Sequence, residues 1–201
     1  MKIFYFILLA SLLNLDNVSA FQFLISRPSF AGGILGYLSG YTIEGFLIGL
    51  LLELVILDFT PVGGIPIPNG TLAALISVLL IRDFGSDFAF ASFFAGIIAG
   101  EGYSYVEKFM RSFRNIFNRL CENMIEKNDF NFGKLVVYSL IIDVMVFGIY
   151  SFISYKILYF IFLKINSDYI MKVFRLAVVG AVFVTLTSLY FKFKTQVGKN
   201  D

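Results

Sequence analysis

The chain has 201 residues, 58% of them hydrophobic and 15% charged, with a formal net charge of +2 and a mean hydropathy of +0.83. Soluble domains are about 45–50% apolar and ~25% charged, so this excess of apolar surface requires lipid, and the fold class expected is an all-α polytopic membrane protein. The small net charge argues against a nucleic-acid partner, the absence of histidine removes imidazole bases, metal ligands and phosphoryl carriers, and the lone Cys121 excludes an internal disulfide or a cysteine cluster.

Residues 1–20 combine one lysine, an apolar run over 3–13 and Val18-Ser19-Ala20, the pattern of a cleavable signal peptide. The same run fits a first membrane helix that is kept. Next, Arg27-Pro28 opens a helix, because proline suits a first turn where its missing N–H is not needed. Gly32, Gly36 and Gly40 then share one face at a spacing of four, the small-xxx-small pattern that lets helices approach closely. Gly45 and Gly49 restart the stripe. A single helix over 28–57 would be about 45 Å long, more than a bilayer core needs, so a break is expected near Gly40-Tyr41-Thr42. Thr42 can cap the second piece, which leaves Glu44 in its first turn, where the helix dipole favours negative charge.

Glu53 stands in the middle of the next apolar run, a Pro/Gly loop follows over 61–70, and a second apolar run returns. As helices, 45–57 would be about 20 Å long and 71–82 about 18 Å, both short of a hydrocarbon core of roughly 30 Å. Broken helices of this kind read as a re-entrant hairpin near 45–82, inside a core translocation region over 1–100. Irregular backbone survives at membrane depth only where protein buries it or a watery cavity faces it. Glu53 shares the face of Gly45 and Gly49 to within about 80°. A charge there costs roughly 2.5–3.5 kcal/mol, which makes a binding site the first reading. The competing reading is a strut paired with Arg27. Asn69 suits the N-cap of the returning half-helix, whose backbone N–H groups would face a polar ligand. A plain cap and a ligand contact both fit that position.

Arg82-Asp83-Phe84-Gly85-Ser86-Asp87 reads as a polar turn, and 88–100 as another apolar run. Over 101–134 the pattern changes. Tyr105, Phe109, Phe113, Ile116, Phe117, Leu120 and Met124 recur at spacings of three and four, with Lys108, Arg111, Arg114 and Arg119 between them and no acid from 108 to 119. This is a basic amphipathic helix lying in the interface, on the anionic cytoplasmic side. Residues 135–195 hold two spans joined by Asn166-Ser167-Asp168, the second over 173–191, and 196–201 form a tail. Asp143 in the first span needs a partner or water, and Lys156 is too far along the same helix to supply one. Two spans separate 101–134 from the basic tail, so both lie on one side, which the positive-inside rule makes cytoplasmic.

Leu15-Asp16, Phe21-Gln22-Phe23, Ser26-Arg27-Pro28, the glycine-rich helix, Leu52-Glu53-Leu54, Pro61-Val62-Gly63-Gly64 and Pro68-Asn69 follow one another without gaps over 15–77. In that order they resemble the amino-terminal region of membrane subunit IIC of the mannose/fructose/sorbose family of bacterial sugar phosphotransferase systems. Two positions depart from the family pattern. Ser39-Gly40 stands where the family usually has an aspartate after Leu-Gly, and Ile67-Pro68-Asn69 where it often has Pro-Pro-Asn. Both bear on the identity of the sugar more than on the fold.

The resemblance places 16–27 inside the mature fold and so favours keeping residues 1–20. It implies a transport subunit, not an enzyme, in the bacterial cell (inner) membrane, with no cofactor of its own. Such a permease binds a hexose or related sugar and passes it inward for phosphorylation by soluble IIA/IIB subunits, in a hetero-oligomer with a second membrane subunit, IID. On that reading Glu53 accepts hydrogen bonds from sugar hydroxyls, Asn69 donates and accepts, Arg27 positions or neutralises Glu53, and Gln22 adds a contact. The rival readings are a small ion- or proton-coupled carrier in which Glu53 titrates, and a reduced, non-transporting subunit that assembles a partner.

Overall fold

The computed structural model describes residues 3–18, 23–57, 67–126, 132–165 and 168–197, with the backbone alone at 18, 115–126, 132, 135, 168–170 and 196–197. These residues form seven helices and no strand: α1 (Ile3–Val18), α2 (Pro28–Ser39), α3 (Thr42–Leu57), α4 (Gly70–Phe84), α5 (Ala89–Glu126), α6 (Phe132–Phe162) and α7 (Asp168–Val197). The all-α membrane architecture read from the sequence is the one observed.

The break between α2 and α3 falls where glycine permits it. Gly40 takes φ +84°, and Tyr41 N–H closes the end of α2 on the Gly36 carbonyl at 2.9 Å. The expected cap moves by one residue: Tyr41 carbonyl accepts the first bond of α3, from Gly45 N–H at 2.9 Å, so Thr42 is already helical. Glu44 keeps its place in the first turn.

The glycine stripe packs α2 against α3 backbone to backbone. A Cβ on Gly45 would come within 2.8 Å of Gly36 Cα, and one on Gly36 within 2.7 Å of the Tyr41 carbonyl oxygen. No side chain larger than hydrogen fits that contact.

Central to the bundle is α4. Every side chain over 71–81 is buried, as expected of a helix apolar on all faces. It touches α1, α2, α3, α5 and α6. The first half of α5 lies along it through two more glycines; a Cβ on Gly100 would sit 2.8 Å from the Asn69 carbonyl oxygen and 3.3 Å from Ala73 Cβ. α4 also runs further than the expected polar turn, through Phe84, so the turn shrinks to Gly85 and a short 3-10 helix over Ser86–Phe88.

Among the described residues two helices, Val136–Phe162 and Met171–Thr195, are long and apolar enough to cross a bilayer. Only 11% of the most apolar window of each is buried inside the chain, so their sides are left for lipid.

α5 differs from the expected arrangement. It runs unbroken from Ala89 to Glu126, and the boundary drawn at residue 100 falls inside it. The residue pattern changes at 101 while the helix continues, with Gly100 packed against Asn69 and Ala73 at the start of α4. At ~1.5 Å per residue α5 is about 57 Å long, so one end must leave the hydrocarbon. The apolar positions Tyr105, Phe109 and Phe113 of its second half are exposed, beside exposed Lys108 and Arg111, an uncovered amphipathic surface suited to an interface.

Candidate functional site

The ends of four helices meet around the short segment 23–29. Asp16 lies in the last turn of α1, and its carboxylate reaches over the connection to α2. Oδ1 accepts from Phe23 N–H at 2.6 Å and Oδ2 from Ser26 N–H at 3.1 Å. Inside that loop Leu24 takes φ +67°, uncommon for a side chain with a Cβ, and its carbonyl accepts from Arg27 N–H at 3.1 Å. Ser26 carbonyl then accepts from Thr71 Oγ1 at 2.7 Å, which ties the segment to the first turn of α4.

Glu53 completes the site from α3. The face of Gly45 and Gly49 packs on α2, and Glu53 continues it to the N-terminal end of α2. There its carboxylate accepts a hydrogen bond from Ser29 Oγ, and Arg27 Nη1 lies 3.5 Å from Oε1. Ser29 is buried, while the side chains of Arg27 and Glu53 are 45% and 24% exposed. The geometry drawn for the strut, an Arg27–Glu53 pair between two helices, is therefore present, with Ser29 as an additional partner.

Asn69 caps α4 as expected, Oδ1 accepting from Leu72 N–H at 2.9 Å. Its amide Nδ2 donates to Asn14 Oδ1 at 2.8 Å, and both residues are buried. Both ends of the Asn69 side chain are thus used inside the protein. Pro28 bridges the two parts of the site, since its ring would meet a Cβ placed on Gly70, beside Ile56 Cδ1 at 3.4 Å. Arg27 and Glu53 are in direct contact, and Asn69 joins them through Thr71, Ser26 and Pro28. Gln22 and residues 58–66, which include the first six residues of the Pro/Gly loop over 61–70, lie outside the described residues. Among the described residues no group of three His, Cys, Asp or Glu side chains is placed to hold a metal ion.

Sequence reasoning did not single out Asn14, Ser29 or Thr71, nor the role of Asp16. Polar residues near the end of an apolar first helix were the available signal. It also left Asp143 without a partner. Arg114 of α5 supplies one, with Nη2 donating to Oδ1 at 2.5 Å and Oδ2 at 2.6 Å.

Compared with known proteins, the chain matches over residues 1–189 the family described as PTS system sorbose-specific IIC component. The chain belongs to that family. It is a membrane sugar-transport component of a phosphotransferase system, and the match reaches well past residue 77, through α6 and most of α7. Among solved structures, one described as "Structure of membrane protein" is similar with a TM-score of 0.74 at 19% identity, over 95% of this chain and 77% of that one. At that identity the likeness concerns the fold. No match was found among curated proteins.

Proposed function

We propose that this IIC chain is the sugar-translocating permease subunit of a mannose-type phosphotransferase system. It binds a hexose or related sugar within the membrane and passes it inward, where soluble IIA/IIB subunits phosphorylate it. A second membrane subunit, IID, completes the permease, and the basic half of α5 and the C-terminal tail face the cytoplasm. The observation that carries this reading is Glu53, a part-exposed carboxylate set beside Ser29 and Arg27 where four helix ends meet, in a chain of this family.

The chemistry suits a neutral polyol. Each sugar hydroxyl donates one hydrogen bond and accepts up to two; the carboxylate accepts, the guanidinium donates, and the Ser29 hydroxyl does either. When the sugar leaves, Ser29 and Arg27 take back the carboxylate, so Glu53 is never stranded without a partner. Gln22, next in sequence before the segment that Asp16 holds, adds a sugar contact on this reading, and Asn69 anchors α4.

The test is Glu53→Gln in membrane vesicles supplied with the soluble subunits and phosphoenolpyruvate. Sugar uptake is expected to vanish while co-purification with IID persists. Unchanged uptake rejects the role of Glu53, and joint loss of uptake and assembly assigns it to the strut. Wild-type uptake that follows an ion gradient instead of phosphoenolpyruvate would make the chain an ion-coupled carrier.

A further inference from the structure

A second polar cluster lies away from Glu53, between α1, α5 and α6. Asn14, Tyr103, Glu107, Arg114 and Asp143 line a cavity of about 20 Å³. One water needs roughly 10–15 Å³ and two to four polar partners, so the space takes a single water-sized group. Asp143 stands within the apolar span Val136–Phe162, where a carboxylate is expensive and marks a functional position by default.

The charges around the cavity cancel. Asp143 is held by Arg114, and Glu107 by Arg111 at 2.8 Å. An ion entering would meet no net opposite charge. Hydrogen-bonding capacity is nevertheless present on both sides. Arg114 binds Asp143 through one terminal nitrogen, Nη2, which leaves its other N–H groups outside that pair. A neutral group that both donates and accepts is what such a lining suits. The cavity also adjoins the first site, because Asn14, on its wall, accepts from Asn69 at the cap of α4.

We propose that this cavity is a hydroxyl-binding subsite on the sugar's path: one hydroxyl of the carried sugar enters it, held by Glu107, Arg114 and Asp143, and water fills it otherwise. The inference rests on the reading of the chain as a sugar permease.

The experiment is uptake by the complete permease, with its partner subunits, of the transported sugar and of its singly deoxygenated analogues, by wild type and Asp143→Asn. In wild type one deoxy analogue should have a KM raised about tenfold or more, the loss of a hydrogen bond to a charged group. Asp143→Asn should raise the KM of the parent sugar by a similar factor and discriminate little against that one analogue, while the other analogues keep their wild-type ratios. Should Asp143→Asn fail to reach the membrane, Glu107→Gln, which keeps the Arg114–Asp143 pair, takes its place with the same expectation. Equal parent-to-analogue ratios in variant and wild type for every analogue would overturn the subsite. So would full recovery of uptake in the charge-swapped pair Arg114→Asp/Asp143→Arg, which restores a strut but exchanges donor for acceptor. Absence of sugar uptake by wild type would instead refute the permease reading, so the two failures are distinct.

Discussion

The Asn14–Asn69 pair gives the sharpest test of how α4 is anchored. Asn69→Ala removes the cap on Leu72 N–H, worth about 1 kcal/mol (range ~0.5–2). It also strands the Asn14 amide oxygen in a buried setting, at about 1–3 kcal/mol. The single variant should therefore lose about 2–4 kcal/mol. Asn14→Ala strands Asn69 Nδ2 and should lose about 1–3 kcal/mol. In the double variant neither amide is stranded, and what remains is chiefly the lost cap. The sum of the two single losses should thus exceed the loss of the double variant by about 2–6 kcal/mol. Hydrogen bonds between membrane helices average nearer 0.6 kcal/mol, because the unfolded chain in lipid finds substitutes. This pair exceeds that average because it sits at the end of a helix enclosed by protein on every side. Reversible unfolding in mixed micelles, followed by circular dichroism, measures all four corners of the cycle. Losses that add to within about 0.3–0.5 kcal/mol would refute the reasoning and mean that each amide finds another partner when its neighbour is removed.

Among the glycines, Gly45→Ala should destabilise the α2–α3 contact by about 1–3 kcal/mol or disrupt it, whereas Gly33→Ala, whose new methyl would meet only Phe46 at 3.5 Å, should be near neutral; equal thermal stability of the two variants in detergent would contradict the backbone-to-backbone packing. The first helix buries Phe6, Ile7 and Ala10 in the core, so intact mass of the purified protein should include residues 1–20, and a mass beginning at Phe21 would show that they are removed. Orientation is testable with single cysteines placed at the exposed Lys108 and Lys194 in a Cys121→Ser background. Both should react with a membrane-impermeant maleimide in inside-out vesicles and not in right-side-out ones, and labelling on opposite sides would break the shared-side argument.

Features with a local chemical cause were legible in the sequence. Pro28 begins α2, Gly40 ends it, Asn69 caps α4, and the spacing of Gly32, Gly36, Gly45 and Gly49 announced a tight helix pair. Features set by register between distant helices were not. Asp143 and Arg114 meet because α5 and α6 lie side by side at one depth, which no spacing within either helix encodes. The unbroken course of α5 shows that a change of residue pattern, from apolar over 88–100 to basic and amphipathic over 101–134, marks a change of surroundings and not a helix end. The family resemblance was readable over 15–77 because turns, prolines and intramembrane polar residues are distinctive there. Beyond that stretch apolar runs dominate, and any membrane helix shares them, although the family match extends to residue 189.

The strut and the binding site proposed for Glu53 are not mutually exclusive once the magnitudes are compared. An ion pair at 3.5 Å between side chains 45% and 24% exposed is worth about 1 kcal/mol or less, and its two members are held by separate helices. A sugar that offers several hydroxyls to the same carboxylate and guanidinium can replace it at little cost. Asn69 is the opposite case: it is buried, its amide serves the α4 cap at one end and Asn14 at the other, and turning it toward a ligand would disturb both bonds. If one of these residues gains a sugar contact during transport, Glu53 is the one that can exchange partners without disturbing the fold. Asn69 acts by holding the first turn of α4 still against the segment 26–29 that carries Arg27 and Ser29. A sugar-dependent change should therefore show at Glu53 and Arg27, for instance as altered reactivity of a cysteine placed at Arg27, while a cysteine-free readout of α4 such as hydrogen exchange of Leu72 N–H stays constant. Faster exchange at Leu72 on sugar binding would reverse these assignments.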